Sequence, residues 1–238
     1  IKSYNSTELI DAMRNMSFTS RDTARAADIL MMMCKEKECT NILTLAGSTS
    51  AAGCMQVYVD MVRNKMIDVV VATGASIIDM DLFEALGFKH YIGEKENVIA
   101  DTTLRDLYID RIYDTYIDEE ELQACDHTTF EIANMLEARP YSSREFIYEI
   151  GKWLHDGHAV KKDSLIQTCY ECGVPIFVPA FSDSSAGFGI GKHQWERMQK
   201  GEKYLSIDSV KDFIELTQIK MQAPETGLFM VGGGAPKN

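Results

Sequence analysis

Prolines number only 5 and glycines 16 in 238 residues, too few for a collagenous, proline-rich or low-complexity chain. Basic residues are scarce too: 24 Lys and Arg stand against 36 Asp and Glu, a formal charge of −12. That field repels phosphate backbones and anionic membrane surfaces, so it argues against nucleic acid as a partner; it would concentrate cationic ligands such as polyamines or a basic protein, though solubility alone also accounts for the charge. No apolar run reaches the roughly 18 residues that a membrane span requires. The six cysteines, Cys34, Cys39, Cys54, Cys125, Cys169 and Cys172, form no dense framework and follow no signal peptide, which points to a reducing, cytoplasmic compartment. Cys169-Tyr-Glu-Cys172 is a CxxC, yet the nearest histidines, His155 and His158, lie across an expected loop, so helix-end packing is expected there and no metal site.

What is present is an ordinary globular composition, 45% hydrophobic and long enough to bury a full core. From Ser20, read as a cap, Ala24, Ala27, Met31 and Cys34 recur at steps of three and four, which predicts a helix with one buried face. Asn41–Ala46 and Ile67–Ala72 are short, continuous β-branched runs, each followed by a helical stretch, about 50–64 and 77–86. Continuous apolar strands separated by helices are the pattern of a parallel sheet covered on both faces. Asp118 with Glu121 and Ser142 with Glu145 have capping-box spacing and open a helical excursion over about 118–172. A third strand is expected at Val174–Ala180, followed by a polar turn over Phe181–Gly187. Helices near Lys192–Lys200 and Asp208–Met221 and a last strand at Gly227–Val231 complete one doubly wound α/β domain over 1–238. Between Glu94 and Ile117 two readings stay open. Asp106, Asp110, Asp114 and Asp118, spaced by four, suit a carboxylate stripe on a helix, either cation-binding or solvated and relieved by Arg105 and Arg111; the intervening Tyr and Ile suit strands.

Ligands of open parallel sheets bind beyond the carboxyl ends of the strands, where helix N-termini offer free N–H groups. Here those ends are Ala46–Gly53, Thr73–Ser76, Ser182–Gly187 and Gly232–Lys237, all built from small residues that let a flat ligand approach the backbone. The Gly-x-Gly-x-x-Gly fingerprint is absent after the first strand, so spacing leaves a dinucleotide and a merely tight helix start equally open.

The wording of the strand ends is more specific. Leu43-Thr-Leu-Ala-Gly47, Ile67-Asp-Val-Val-Val-Ala-Thr-Gly74, Asp81-Leu-Phe-Glu-Ala-Leu86, Tyr91-Ile-Gly93, Val174-Pro-Ile-Phe-Val-Pro-Ala180 and Gly232-Gly-Gly234 resemble the deoxyhypusine synthase family, in family order over nearly the whole chain. Asp183-Ser-Ser-Ala-Gly-Phe188 and Gly234-Ala-Pro-Lys-Asn238 resemble its bacterial deoxyhypusine synthase-like branch. The resemblance implies a Rossmann-like NAD-binding fold and a homotetramer. It also implies an enzyme that uses NAD to oxidise a polyamine transiently to an imine and passes the aminobutyl group to an amine acceptor, a protein lysine or a small diamine. The alternative is a non-catalytic NAD- or polyamine-binding member of the same fold. Carried over by position, Gly47, Ser48, Thr73, Gly74, Ala75, Asp183, Gly232, Gly233 and Gly234 match residues that hold NAD, and Asp79 matches an acidic ribose contact with the alignment displaced by one residue. Ser185 matches a serine lining the substrate tunnel. Asp183 equally suits a helix cap, and the glycines equally suit chain reversals.

Phe188 stands where the eukaryotic enzyme has an aspartate for the polyamine ammonium, and Asn238 where it has a histidine. A phenyl ring can carry an ammonium on its face but lacks a carboxylate's full charge. The family's nucleophilic lysine lies in a Trp-Gly-Lys context well past the triple glycine. It is expected beyond residue 238, in a gene product that continues past Asn238.

Overall fold

The computed structural model describes residues 4–94 and 99–238. Helices α1 (Thr7–Met13) and α2 (Phe18–Lys35) lead into β1 (Cys39–Leu45). Ser17, not Ser20, is the N-cap of α2. After β1 come a π-type turn, Ser50–Cys54, helix α3 (Met55–Arg63) and β2 (Val69–Ala72). A second π-type stretch, Ala75–Leu82, runs into the short α4 (Phe83–Ala85). Then follow β3 (Tyr91–Ile92), α5 (Asp101–Asp106), β4 (Ile109–Ile112), β5 (Thr115–Asp118), α6 (Glu119–Met135), β6 (Pro140–Tyr141), α7 (Ser143–Trp153) and α8 (Leu165–Cys172). The chain closes with β7 (Ile176–Phe177), α9 (Ser185–Gln199), β8 (Ser206–Ile207), α10 (Ser209–Gln222) and β9 (Glu225–Val231).

The central sheet is parallel, in the order β7-β2-β1-β9. Its strands are continuous apolar runs because both faces are covered. Leu43, Leu45, Val70 and Ala72 pack into the main core with side chains of α3, α7 and α8. Val69, Val71 and Phe177 face the other way, onto Leu216 and Ile219 of α10. This is the doubly wound, Rossmann-like α/β architecture that the strand pattern predicts. The 118–172 excursion carries α6, α7 and α8, and Pro140–Tyr141 within it pairs with Ser206–Ile207. The reciprocal capping box at Ser142 and Glu145 forms in full. At Asp118 only half of one forms: its carboxylate accepts from Glu121 N.

The expected polar turn at Phe181–Gly187 is shorter than that: α9 already begins at Ser185 and includes the glycine-rich Gly187–Gly191. Close packing explains the difference. A Cβ on Gly189 would lie 2.0 Å from Thr129 Oγ1 and 2.5 Å from Asp126 O, so the bare glycine lets α9 lie directly on α6. Of the two readings between Glu94 and Ile117, strands prevail from Ile109 onward, Asp101–Asp106 is a short helix, and 95–98 lie outside the described residues. The helical stripe does not form. Asp106 ends α5, Asp110 lies in β4, Asp114 sits in the tight turn of the β4–β5 hairpin and Asp118 caps α6. Ile112 and Ile117 win this contest by packing against the Phe83 and Cys125 cluster. Arg105 pairs with Asp106 and Arg111 with Asp101, both at 2.8 Å.

Candidate functional site at the carboxyl edge of the sheet

The strand register aligns Leu45 with Ala72 and Val231, and Val71 with Phe177, so all four strands end on one edge. The turns that follow are joined. Ser76 Oγ donates to Gly47 O at 3.1 Å and shares a 2.9 Å hydrogen bond with Thr73 Oγ1, linking the turns after β1 and β2. Gly74 lies against Ser184, where a Cβ would come within 2.5 Å of the serine Cβ, so the turn before α9 meets the turn after β2. Gly232, at φ +80°, packs on Ala46, whose carbonyl oxygen would be 2.3 Å from an added Cβ. The contact sits between β1 and β9, where the strand order reverses, the place at which open α/β sheets take their ligands.

The cradle is open on its outer side. Gly47 (φ +83°) and Gly234 (φ +68°) have left-handed backbone, and a Cβ added at either would meet nothing within 4 Å. Gly233, Ser48, Thr73 and Ala75 are each half-buried. Ser50, in the first turn beyond β1, is buried, and its hydroxyl has no hydrogen-bond partner among the described residues. Nothing in the pattern of residues singles out Ser50 or Ser76; only the meeting of the turns does.

Asp183 is exposed in the turn before α9. Asp79 is drawn inward: its Oδ1 accepts from Ser185 N at 2.8 Å, which caps the start of α9 from outside the helix. Burial raises the Asp79 carboxyl above the usual carboxylate range; hydrogen bonds from Ser185 oppose the rise, and the charges of Asp126 and Asp183 add to it. Burial likewise raises Asp126, again opposed by the Ser185 hydroxyl. Ser185 thus sits between two carboxylates. It opens onto a groove of about 620 Å³ between α6 and α9, lined by Asp110, Glu119, Asp126, Phe188 and Lys192 among others. Phe188 is 75% exposed there. The structure therefore brings Ser185 and Phe188 together in one groove, beside the cradle through Asp79 and Asp183. Asn238 is not in that groove's lining: it follows the short turn Ala235–Lys237, and its Oδ1 accepts from Lys237 Nζ at 3.1 Å.

The sequence profile of the deoxyhypusine synthase family matches residues 8–238. A deoxyhypusine synthase-like protein of Caulobacter vibrioides is 67% identical over all 238 residues, which make up 64% of its length. One of Coxiella burnetii is 59% identical over the whole chain, 66% of its own. The chain thus spans just under two thirds of the curated relatives it matches. A solved structure assigned as a deoxyhypusine synthase of Entamoeba histolytica superposes with a TM-score of 0.69 over 98% of this chain and 77% of that one; at 20% identity this establishes the shared fold. With the profile matched from the first helix to the last residue, on the sheet and turns described above, the chain belongs to the deoxyhypusine synthase family.

Proposed function

We propose that the protein is an NAD-dependent transferase that moves an aminobutyl group from a polyamine to an amine acceptor, a protein lysine or a small diamine. The observation that carries this reading is the adjacency of an open glycine cradle and an acidic groove, joined through Ser185 and Asp79. The cradle suits a dinucleotide in three respects. Gly47 and Gly234 leave space where side chains would stand, helical backbone begins at Ser50 and Ala75 just past β1 and β2, and the buried Ser50 hydroxyl lacks a partner among the described residues. NAD, when bound, supplies reversible hydride acceptance.

The chain's own residues do the rest. Gly47, Ser48, Gly74 and Ala75 would offer backbone N–H groups to the phosphates, Thr73, whose own N–H is given to Leu45 O, would hold the turn beside them, and Gly232, Gly233 and Gly234 would let the flat ligand lie on the backbone. Ser185 and Phe188 line the groove that receives the amine, the serine as a hydrogen-bonding group and the ring as a surface for alkyl carbons and an ammonium. Asp79 holds the first N–H of α9 and so keeps Ser185 in register with the cradle. The acidic surroundings favour cationic substrates over anionic ones.

Incubation with NAD and spermidine, or with NAD and putrescine, tests this. Release of diaminopropane from the first, or ammonia from the second, with an enzyme adduct that borohydride traps, is the expected result. NAD binding without product would leave a binding protein of the same fold. No NAD binding would overturn both.

A further inference from the structure

Ser76 is fully buried where the turns after β1 and β2 meet. A carbonyl oxygen can only accept, so the Ser76 proton is committed to Gly47 O at 3.1 Å, and across the 2.9 Å contact Thr73 Oγ1 is the donor to Ser76 Oγ. Ser76 N returns a hydrogen bond to Thr73 Oγ1 at 3.3 Å. Donation thus runs from Thr73 to Ser76 to Gly47, from one strand end to the next. We propose that Ser76 is a positioning residue for the phosphates of the dinucleotide: by holding Gly47 O inward it turns the N–H of Ser48 outward as a phosphate donor. This role rests on the NAD reading above and adds to it the residue that decides whether a donor or an acceptor faces the ligand.

A peptide unit is planar, with its C=O and N–H on opposite sides. The unit that gives Gly47 O to the buried Ser76 therefore carries the Ser48 N–H on its far side. That N–H has no backbone acceptor among the described residues. Gly47 is exposed, and an added Cβ would meet nothing within 4 Å, so the far side is the open side of the cradle. An unpaired N–H in such a place favours an anion. Glycine makes the clamp necessary. Gly47, at φ +83°, can reach the conformations on either side of a peptide flip at little cost. The flipped unit would aim a carbonyl oxygen at the phosphate, and like partial charges repel. The turn after β2 is held differently, since Thr73 N donates to Leu45 O at 3.0 Å and ties that backbone to the sheet.

Amide NMR and titration calorimetry, with NAD and with adenosine as probes, test this. In the wild type NAD should move the Ser48 amide proton downfield, as a new hydrogen bond to phosphate does, whereas adenosine, which lacks phosphate, should not. Ser76→Ala removes one buried oxygen and adds no bulk. It should weaken NAD binding by about 10- to 100-fold, the range for a hydrogen bond to a charged group, abolish the Ser48 shift at saturating NAD and leave adenosine affinity unchanged. A merely structural role for Ser76 would weaken both ligands together. NAD that binds the wild type without moving the Ser48 amide would overturn the role of Ser76, whether or not the variant folds. So would unchanged NAD affinity in Ser76→Ala, or equal losses for NAD and adenosine; each of these leaves the transferase reading intact. A wild-type protein that binds no NAD would overturn that reading itself.

Discussion

Two buried aspartates act as helix caps supplied from elsewhere in the chain. Asp81 is fully buried, and its two oxygens accept from Leu165 N and Ile166 N, each at 2.8 Å, at the start of α8. Asp212 does the same for α7 through Ser143 N and Arg144 N. Each neutralises N–H groups that a helix start leaves unpaired. Burial outweighs these bonds at Asp81 and raises its carboxyl to about 7. Between the ordinary value near 3.8 and about 7 the folded state holds a proton that the unfolded chain has released, so stability falls as pH rises through that window. Asp81→Asn loses one of two acceptors, a cost of about 2 kcal/mol, and loses this slope. Urea melts across pH 4 to 8 should show the gap between the variant and wild type narrowing as pH rises; a constant gap would contradict the titration of Asp81. Nothing local marks Asp81 for this role, since the N–H groups it serves lie more than eighty residues away.

At the scale of elements, α6 and α9 make the groove, and Gly189 sets their distance. Gly189→Ala places a methyl carbon 2.0 Å from Thr129 Oγ1 and against the Asp126 carbonyl, which the helices can accommodate only by separating. Overpacking of this kind costs about 1–3 kcal/mol. The expected outcome is a lower melting temperature together with weaker amine binding, because the groove that Ser185 and Phe188 line is reshaped; Gly191→Ala, with nothing within 4 Å, should do neither. Helix positions were readable where apolar residues recur at helical spacing, as in α7, and where caps announce a start, as at Ser142; in α2 the helix forms but not the expected buried face, since Ala24 is buried, Ala27 half-buried, and Met31 and Cys34 exposed. The start of α9 was not readable, because Ser-Ala-Gly-Phe-Gly-Ile-Gly has poor helix propensity and becomes helical through its packing on α6. The hairpin over β4 and β5 was equally ambiguous, and packing of Ile112 and Ile117 on Phe83 decided it.

For the molecule as a whole, the decisive feature is that four strands end at one edge and their turns touch. A dinucleotide bound across that edge links parts of the chain that are distant in sequence, so it stabilises the fold as a unit. NAD at about 100 times its Kd should add about 2.7 kcal/mol, read as a rise of several degrees in Tm. Gly232→Ala should abolish that rise, since a Cβ there meets the Ala46 carbonyl at 2.3 Å and the backbone is left-handed. A full NAD-dependent shift in this variant would remove the β1–β9 switch point from the binding site. The net charge of −12 acts at the same scale: its field favours the approach of cations, an effect that weakens with added salt.

The amino-acid sequence by itself determined the parallel, doubly covered sheet, since continuous β-branched runs separated by helices have no other economical burial. It also determined the small-residue strand ends, whose wording carries the family. Only the tertiary structure decided that Ser76 ties two of those ends together, that Asp79 and Asp81 turn inward to serve helices, and that Asp126 shares a groove with Ser185 and Phe188. Periodicity and composition report which face of an element is buried; which buried faces meet, and which polar groups they bring together, depends on contacts between residues far apart in the chain.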